Sequence, residues 1–306
     1  MTEQDKTWFE NLHQSRNSIA NTLKDSFAIG NIWNSVVEKY SEQAHFIYEL
    51  LQNADDVLAT NAFFYLTLDG LYFTHNGKKN FWISNPDFEK EDQINDKLGD
   101  INAITAVAQS NKKDQSTIGK FGVGFKAVYS YTDTPHIYDK NFQFKIERFI
   151  VPVLLDNDLP NRKEDETTFF FPFDKSEMSK KRAYEEILEK FKRLVYPTLF
   201  LSNLENISWS TFNESGSYRK EIIETNLFQD IKLDTINLLQ NNNQNQIVER
   251  IALFSRTLNE EKLDISIGFF QDEELNLKSK QFSAFCYFPT KENTNLNFIL
   301  NVDKTV

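Results

Sequence analysis

Three polar side chains on one predicted helix could do chemistry together. In Glu49-Leu50-Leu51-Gln52-Asn53-Ala54-Asp55-Asp56, Glu49 and Asn53 are four residues apart and project from the same side, with Asp56 one turn further. They offer a carboxylate able to take a proton from water, an amide oxygen for a hard cation, and a second carboxylate. Magnesium prefers oxygen ligands and keeps part of its water shell, so the set suits Mg²⁺-assisted phosphoryl chemistry. Taken alone, the plainer reading is a solvated helix face.

A second group lies further along, in Ile118-Gly119-Lys120-Phe121-Gly122-Val123-Gly124-Phe125-Lys126. Glycines at 119, 122 and 124 let backbone N–H groups turn toward an anion, and a helix start after them adds its dipole. No Gly-Lys-Ser/Thr closes the run, so it is not a Walker loop. It does not sit in a first strand-to-helix crossover either, which argues against a dinucleotide fold.

The elements around these residues must position them. Phe46, Ile47, Leu50, Leu51, Ala54, Val57 and Leu58 recur at three-to-four spacing and predict a helix from Ser41 to Thr60, with Ser41 as its cap. Short amphipathic helices are expected at 18–27 and 32–40. Strands follow at 63–68 and 71–74 around Asp69-Gly70, then a turn at His75-Asn76-Gly77. A polar loop with a short helix is expected over 80–97, a helix over 100–109, a mobile loop over 110–124 and a helix over 125–131. Further strands are read at 136–138, 143–148 and 168–173, then a charged helix over 175–196. Beyond it, strands are expected at 207–212 and 219–224, and the Asn/Gln-rich stretch 239–246 reads as a solvated loop. The remaining segments to 302 complete an α+β second half.

Composition sets bounds. The 306 residues suit two compact domains, and 40% hydrophobic residues with 28 Phe supply apolar surface for both. A formal charge of −11 is unfavourable for gripping duplex DNA through its phosphates. The single cysteine, Cys286, leaves nothing to pair with, so no oxidising compartment is called for. No secretory signal core or apolar run of membrane-spanning length is present, and a cytoplasmic location without membrane attachment is the expectation.

The two groups in this order, Asn53 before Gly119, resemble the GHKL superfamily of gyrase, mismatch-repair and ninety-kilodalton heat-shock proteins. "ELLQNADD" is similar to its first helix motif and "IGKFGVGFKAVYSYTDTP" to the motif at the end of its lid. The wording is most similar to the sacsin-like, chaperone-like branch, with further support from "HNG" at 75–77, "RFIVP" at 148–152, "ETTFFFPF" at 166–173 and "FPTKENTNLNFILNVD" at 288–303. The resemblance implies an α+β fold: a Bergerat-type ATP-binding sandwich over 1–175, with a mixed β-sheet covered by helices. A connecting helix and a smaller α+β middle domain would follow over 176–306. The text stops in what reads as the middle of a family segment, so a longer chain is expected.

By the same resemblance, Glu49 is the general base and Asn53 the magnesium ligand, and Asp56 lies near the nucleotide's base. Gly77 lets the backbone approach adenine, and Ser110 and Lys112 stand at the front of the lid. Gly119, Lys120, Phe121, Gly122, Val123, Gly124 and Phe125 embrace the phosphates, and Thr167 contacts adenine. The family's Asp-x-Gly is His75-Asn76-Gly77 here, so His75 or Asn76 is expected to replace the aspartate that accepts from the adenine amino group. Arg250, Arg256 and Lys291 are candidates for sensing the γ-phosphate.

ATP and Mg²⁺ are thus the implied cofactors, and an ATP-driven conformational switch the implied function. It could work through nucleotide-dependent homodimers on a protein client. It could equally control an effector domain further along the chain, as in bacterial antiphage defence proteins with similar N-termini. The alternative is a nucleotide-sensing module with little or no hydrolysis. None of His13, His45, His75 and His136 sits in a dimerisation-helix context, which disfavours a histidine kinase core. The acidic balance disfavours a DNA clamp.

Overall fold

The computed structural model describes residues 1–25, 46–106, 124–160, 162–242, 245–258 and 263–304. The predicted helix over 32–40 lies outside them, as does nearly all of the predicted 110–124 loop. The described chain is mixed α and β, with few helices and mostly antiparallel strands. It forms two compact units that divide between Leu188 and Glu189.

The first unit begins with a 23-residue helix, α1 (Glu3–Asp25), most of which the periodicity of the sequence does not announce. Its buried stripe is thin: Phe9, Leu12 and Ala20, with Arg16 buried among them. Phe9 stacks on Phe142 at 6.2 Å and meets the edge of Phe144 at 5.9 Å. The predicted helix over 41–60 is described as α2 (Phe46–Asp56). Strands β1 (Asn61–Leu66) and β2 (Gly70–His75) follow as expected, as do a 3-10 turn at Pro86–Phe88, α3 (Glu89–Ile94), α4 (Asp100–Ile104) and a 3-10 helix at Phe125–Ser130. The later strands are β3 (His136–Tyr138), β4 (Gln143–Glu147), β5 (Val151–Leu154) and β6 (Thr167–Pro172).

These six strands are ordered β1-β2-β6-β3-β4-β5. Every pairing among them is antiparallel, where the resemblance implied a mixed sheet. Alternation places Phe64, Phe73, Phe169, Ile137 and Phe144 in one row across the sheet, all buried, so this face carries an aromatic floor. One register step along stands a second row: Ala62 opposite His75, and His75 opposite Thr167. Asp139, one residue beyond Tyr138↔Thr168, joins that row at its far end.

The end of α2 is built by a specific stop. Leu58 has φ 62°, the N–H of Ala59 donates to Ala54 O at 3.0 Å, and the N–H of Leu58 donates to Asp55 O at 2.9 Å. This crossed pair satisfies the last helical carbonyls around one left-handed residue, usually glycine. The chain then turns directly into β1. Asn76 pins that turn: its Oδ1 accepts from the N–H groups of Thr60 and Asn61 at 3.0 and 2.9 Å, and its Nδ2 donates to Thr60 Oγ1 at 2.9 Å.

Helix α5 (Lys180–Lys192) starts inside the first unit, where Tyr131 donates to Glu186 and Lys180 pairs with Asp69. These anchors hold its first half there, so the compact units divide within the helix instead of before it. In the second unit Phe191 stacks on Trp209 at 5.7 Å.

The strands of the second unit are β7 (Asn206–Ser210), β8 (Ser215–Phe228), β9 (Ile231–Asn242), β10 (Asn245–Leu258), β11 (Leu263–Gln271), β12 (Phe282–Cys286), β13 (Phe288–Leu296) and β14 (Ile299–Lys304). Their order is β13-β12-β14-β11-β10-β9-β8-β7, antiparallel except for β12 beside β14. Among the described residues after α5 every regular element is a strand, so the expected α+β second half is a sheet. The predicted loop over 239–246 is corrected as well: Asn241 and Asn242 pair with Gln246 and Asn245 as the ends of β9 and β10. Those ends are exposed. Their polar side chains therefore follow from solvent on both faces, not from loss of the strand. Ile236, Leu238, Ile251, Leu253, Phe270 and Ile299 form the core of this unit.

Candidate functional site

Helix α2 lays out the candidate site along one edge. Glu49, Asn53 and Val57 follow one another at four-residue steps, about 12 Å from first to last at 1.5 Å per residue. At the first point the Glu49 carboxylate rests on the backbone of Gly124. A Cβ added to Gly124 would lie 1.8 Å from Glu49 Oε2 and 2.6 Å from its Cδ. Gly124 has φ −65° and ψ −41°, which any residue adopts, so space for the carboxylate is what demands glycine there. Burial pushes the Glu49 carboxyl above its usual range.

Asn53, one turn on, is 7% exposed, and its side chain forms no hydrogen bond with any described residue. A buried amide with unused donors and acceptor is the exception in folded proteins. Asp56, at the helix end, is exposed; partial desolvation, then neighbouring Asp55, pushes its carboxyl up to about 6, with Lys79 opposing.

At the third point Val57 covers Gly77. A Cβ at Gly77 would lie 2.4 Å from Val57 Cγ2 and 2.9 Å from His75 Nδ1. The Gly77 N–H donates to His75 Nδ1 at 3.1 Å. That bond requires an unprotonated Nδ1, so neutral His75 carries its proton on Nε2. His75 is 4% exposed, and burial lowers its pKa to about 4. Nε2 makes no hydrogen bond to a described residue.

Neither residue expected to replace the family's aspartate offers a free acceptor. The lone pair of His75 is taken by the Gly77 N–H, and the Asn76 amide is committed to Thr60 and Asn61. Thr167 stands beside His75 in register, and its hydroxyl donates to Asp139 Oδ2 at 2.9 Å. The structure therefore brings Glu49 to Gly124, and His75 to Gly77 and Thr167. Phe125 is buried on the aromatic floor, its ring 6.0 Å from that of Phe169. Ser110, Lys112, Gly119, Lys120, Phe121, Gly122 and Val123 lie outside the described residues.

Two functional-looking residues escape the sequence reading. Asp139 is 0% exposed, and only its placement opposite Thr167 marks it. Lys126 is 3% exposed and donates to Ile104 O at 2.7 Å and Phe149 O at 3.0 Å. Burial first, and Arg16 second, lower its pKa to about 7. Its place in "GFKAVYS" was legible, but its partners were not. Of the γ-phosphate candidates, Arg256 is paired with Asp230 at 2.6 Å, while Arg250 Nε is buried without a partner.

Residues 28–147 match the sacsin domain family. Over 116 residues the chain is 34% identical to Protein NO VEIN of Arabidopsis thaliana, a stretch of 36% of this chain and 4% of that protein. Over 126 residues it is 29% identical to Sacsin of Homo sapiens, covering 37% of this chain and 3% of that protein. These matches support a sacsin-like family. The chain spans only a few per cent of the length of these curated relatives. The matched span holds Glu49, Asn53, His75, Gly77, Gly124 and Asp139, whereas Thr167 lies beyond it. Among the described residues no helix is long and apolar enough to cross a membrane.

Proposed function

We propose that the first unit is a Bergerat-type, GHKL-like domain that binds ATP with Mg²⁺ and hydrolyses it as a conformational switch. The observation that carries this is the order along α2: a carboxylate on Gly124, a buried amide that no described residue hydrogen-bonds, then Gly77, His75 and Thr167 at the far end. The Asn53 amide oxygen, which no described residue hydrogen-bonds, is a ligand of the kind magnesium takes alongside water and phosphate oxygens. When bound, the ion would neutralise charge building on the phosphates.

Glu49 then acts as general base, taking the proton of an attacking water. Its raised carboxyl pKa favours that role, since a base works best when its pKa lies near the working pH. The aromatic floor at Phe73 and Phe169 would support the base ring, with His75 and Thr167 along its polar edge. The glycine run Gly119–Gly124 would face the phosphates. A nucleotide-dependent homodimer, acting on a protein client or on an effector region carried by a longer chain, is the output this reading assigns.

The test is a titration of ATP, ADP and GTP with Mg²⁺, reading binding and phosphate release on the same sample. ATP binding with slow phosphate release is expected, and Glu49→Ala should keep the binding and lose the release. Binding without any phosphate release would instead identify a nucleotide-sensing module. Absence of binding to all three nucleotides would reject both.

A further inference from the structure

The row His75–Thr167–Asp139 is more ordered than a contact surface requires. Asp139 is fully buried just past the end of β3, and among the described residues its carboxylate only accepts hydrogen bonds. The Asn141 N–H donates to its Oδ1 at 2.9 Å, and Thr167 Oγ1–H donates to its Oδ2 at 2.9 Å. An ionised carboxylate has no proton to give, so the Thr167 hydroxyl must spend its only proton on Asp139. Thr167 Oγ1 is left with lone pairs alone. Beside it, His75 has its Nδ1 filled by Gly77, so its Nε2 can only donate.

We propose that Asp139 sets the base selectivity of the site by locking the Thr167 hydroxyl as an acceptor beside the His75 Nε2–H donor. Such a pair complements a 6-aminopurine, whose amino group donates and whose N1 accepts. A 6-oxopurine in the same pose puts its O6 against the Thr167 lone pairs and its N1–H against the His75 N–H. The acceptor missing from the His75-Asn76-Gly77 turn is thereby supplied from β6, with its polarity imposed from the end of β3. Burial raises the Asp139 carboxyl above its usual range, against smaller opposing contributions from the hydrogen bonds of Asn141, Thr167 and Phe81 and the charge of Arg162; its acceptor role rests on the geometry, in which each carboxylate oxygen meets a donor. This inference rests on the nucleotide reading above. Asp139 is a positioning residue, acting through Thr167.

The experiment compares ADP, IDP and purine-riboside diphosphate, which lacks the 6-amino group, on the wild-type chain and on Asp139→Asn, Thr167→Val and Thr167→Ser. One lost or mismatched hydrogen bond in a buried site corresponds to about ten- to a hundredfold in affinity. Wild type should therefore bind ADP at least about tenfold more tightly than either analogue. Thr167→Ser should keep that ratio and Thr167→Val should lose it. Asp139→Asn, whose amide can donate to Thr167 and free the hydroxyl proton, should bring the ADP-to-IDP ratio near one. The Asp139→Asn/Thr167→Val double variant should be no less selective than Thr167→Val. Wild type that binds ADP and IDP equally overturns the inference even if Asp139→Asn fails to fold, as does an Asp139→Asn chain that folds and keeps the ratio. A wild-type chain that binds no nucleotide rejects the nucleotide reading instead, and the two failures are therefore distinct.

Discussion

Replacing Gly124 by alanine adds a net one carbon and two hydrogens, yet under the proposed function it acts on the catalytic base. The new Cβ would stand 1.8 Å from Glu49 Oε2 and 2.6 Å from Cδ, against an ordinary contact of about 3.5 Å. The carboxylate must retreat by about 1.5 Å, because the backbone on the other side belongs to the Phe125–Ser130 turn, which is buried. Misplacement of a catalytic group by about 1 Å lowers rates about a hundredfold, and a general base is worth about a hundred- to ten-thousandfold. Gly124→Ala should therefore slow phosphate release at least about a hundredfold, about 2.7 kcal/mol at the barrier. Alanine suits the helical φ and ψ at 124, so thermal stability should not fall through the backbone. The assay is single-turnover phosphate release with saturating Mg-ATP, beside a thermal melt and a direct binding titration. Glu49→Gln should be equally slow, and the double variant no slower than either, since both remove one interaction. A Gly124→Ala chain that turns over within about threefold of wild type would refute the placement of the base. Additive losses in the double variant would do the same.

Other expectations follow from groups whose surroundings are now defined. His75, lowered to about 4, should show no midpoint near 6.5 when its ring protons are followed by NMR from pH 8 to 4; a midpoint above 6 contradicts its burial. Since its folded pKa lies below the unfolded value, its contribution favours the unfolded chain as pH falls from about 6.5 toward 4, by up to about 3 kcal/mol. Lys126, lowered to about 7, works with the same sign at higher pH: the unfolded chain binds more protons between about 7 and 10, so stability rises with pH across that window. Lys126→Met should flatten this slope in urea melts while removing the lysine's donation to Ile104 O and to Phe149 O, the latter keeping that of Tyr129, for a net loss of about 2 kcal/mol at pH 7; an unchanged slope would contradict the shift. Asn76→Ala should destabilise the first unit by about 1–3 kcal/mol through Thr60 and Asn61, with ADP affinity at saturating folded protein changed less than by Thr167→Val. A large affinity loss without destabilisation would make Asn76 a direct ligand after all.

Much of the site was legible because local spacing carries it. The apolar stripe of α2 and the pairing of β1 with β2 repeat at the periods that solvent on one side and core on the other impose. Glu49 and Asn53 are necessarily on one side of that helix, whatever it packs against. The glycine at 124 was legible as a type, but its reason was not: an anion-facing backbone was expected, and the described contact is the Glu49 carboxylate filling the space of the missing Cβ.

Other features depended on partners far along the chain. Arg16 interrupts the stripe of α1 and hid the helix; it becomes intelligible only when Glu89 meets it at 2.6 Å. The Asn/Gln run at 239–246 looks like a loop because its strands outreach the core, where side-chain polarity no longer reports pairing. Asn76 reads as part of a nucleotide motif, yet its three hydrogen bonds close the turn after α2. Asp139 shows the limit most plainly. Alone it is an acid after a three-residue strand; opposite Thr167 it dictates which way a hydroxyl proton points. The amino-acid order determined which side chains share a helix face or a strand face, since those periods are properties of the backbone. Tertiary structure decided which polar atoms remain unspent, since a donor or acceptor is free only when no distant residue has claimed it.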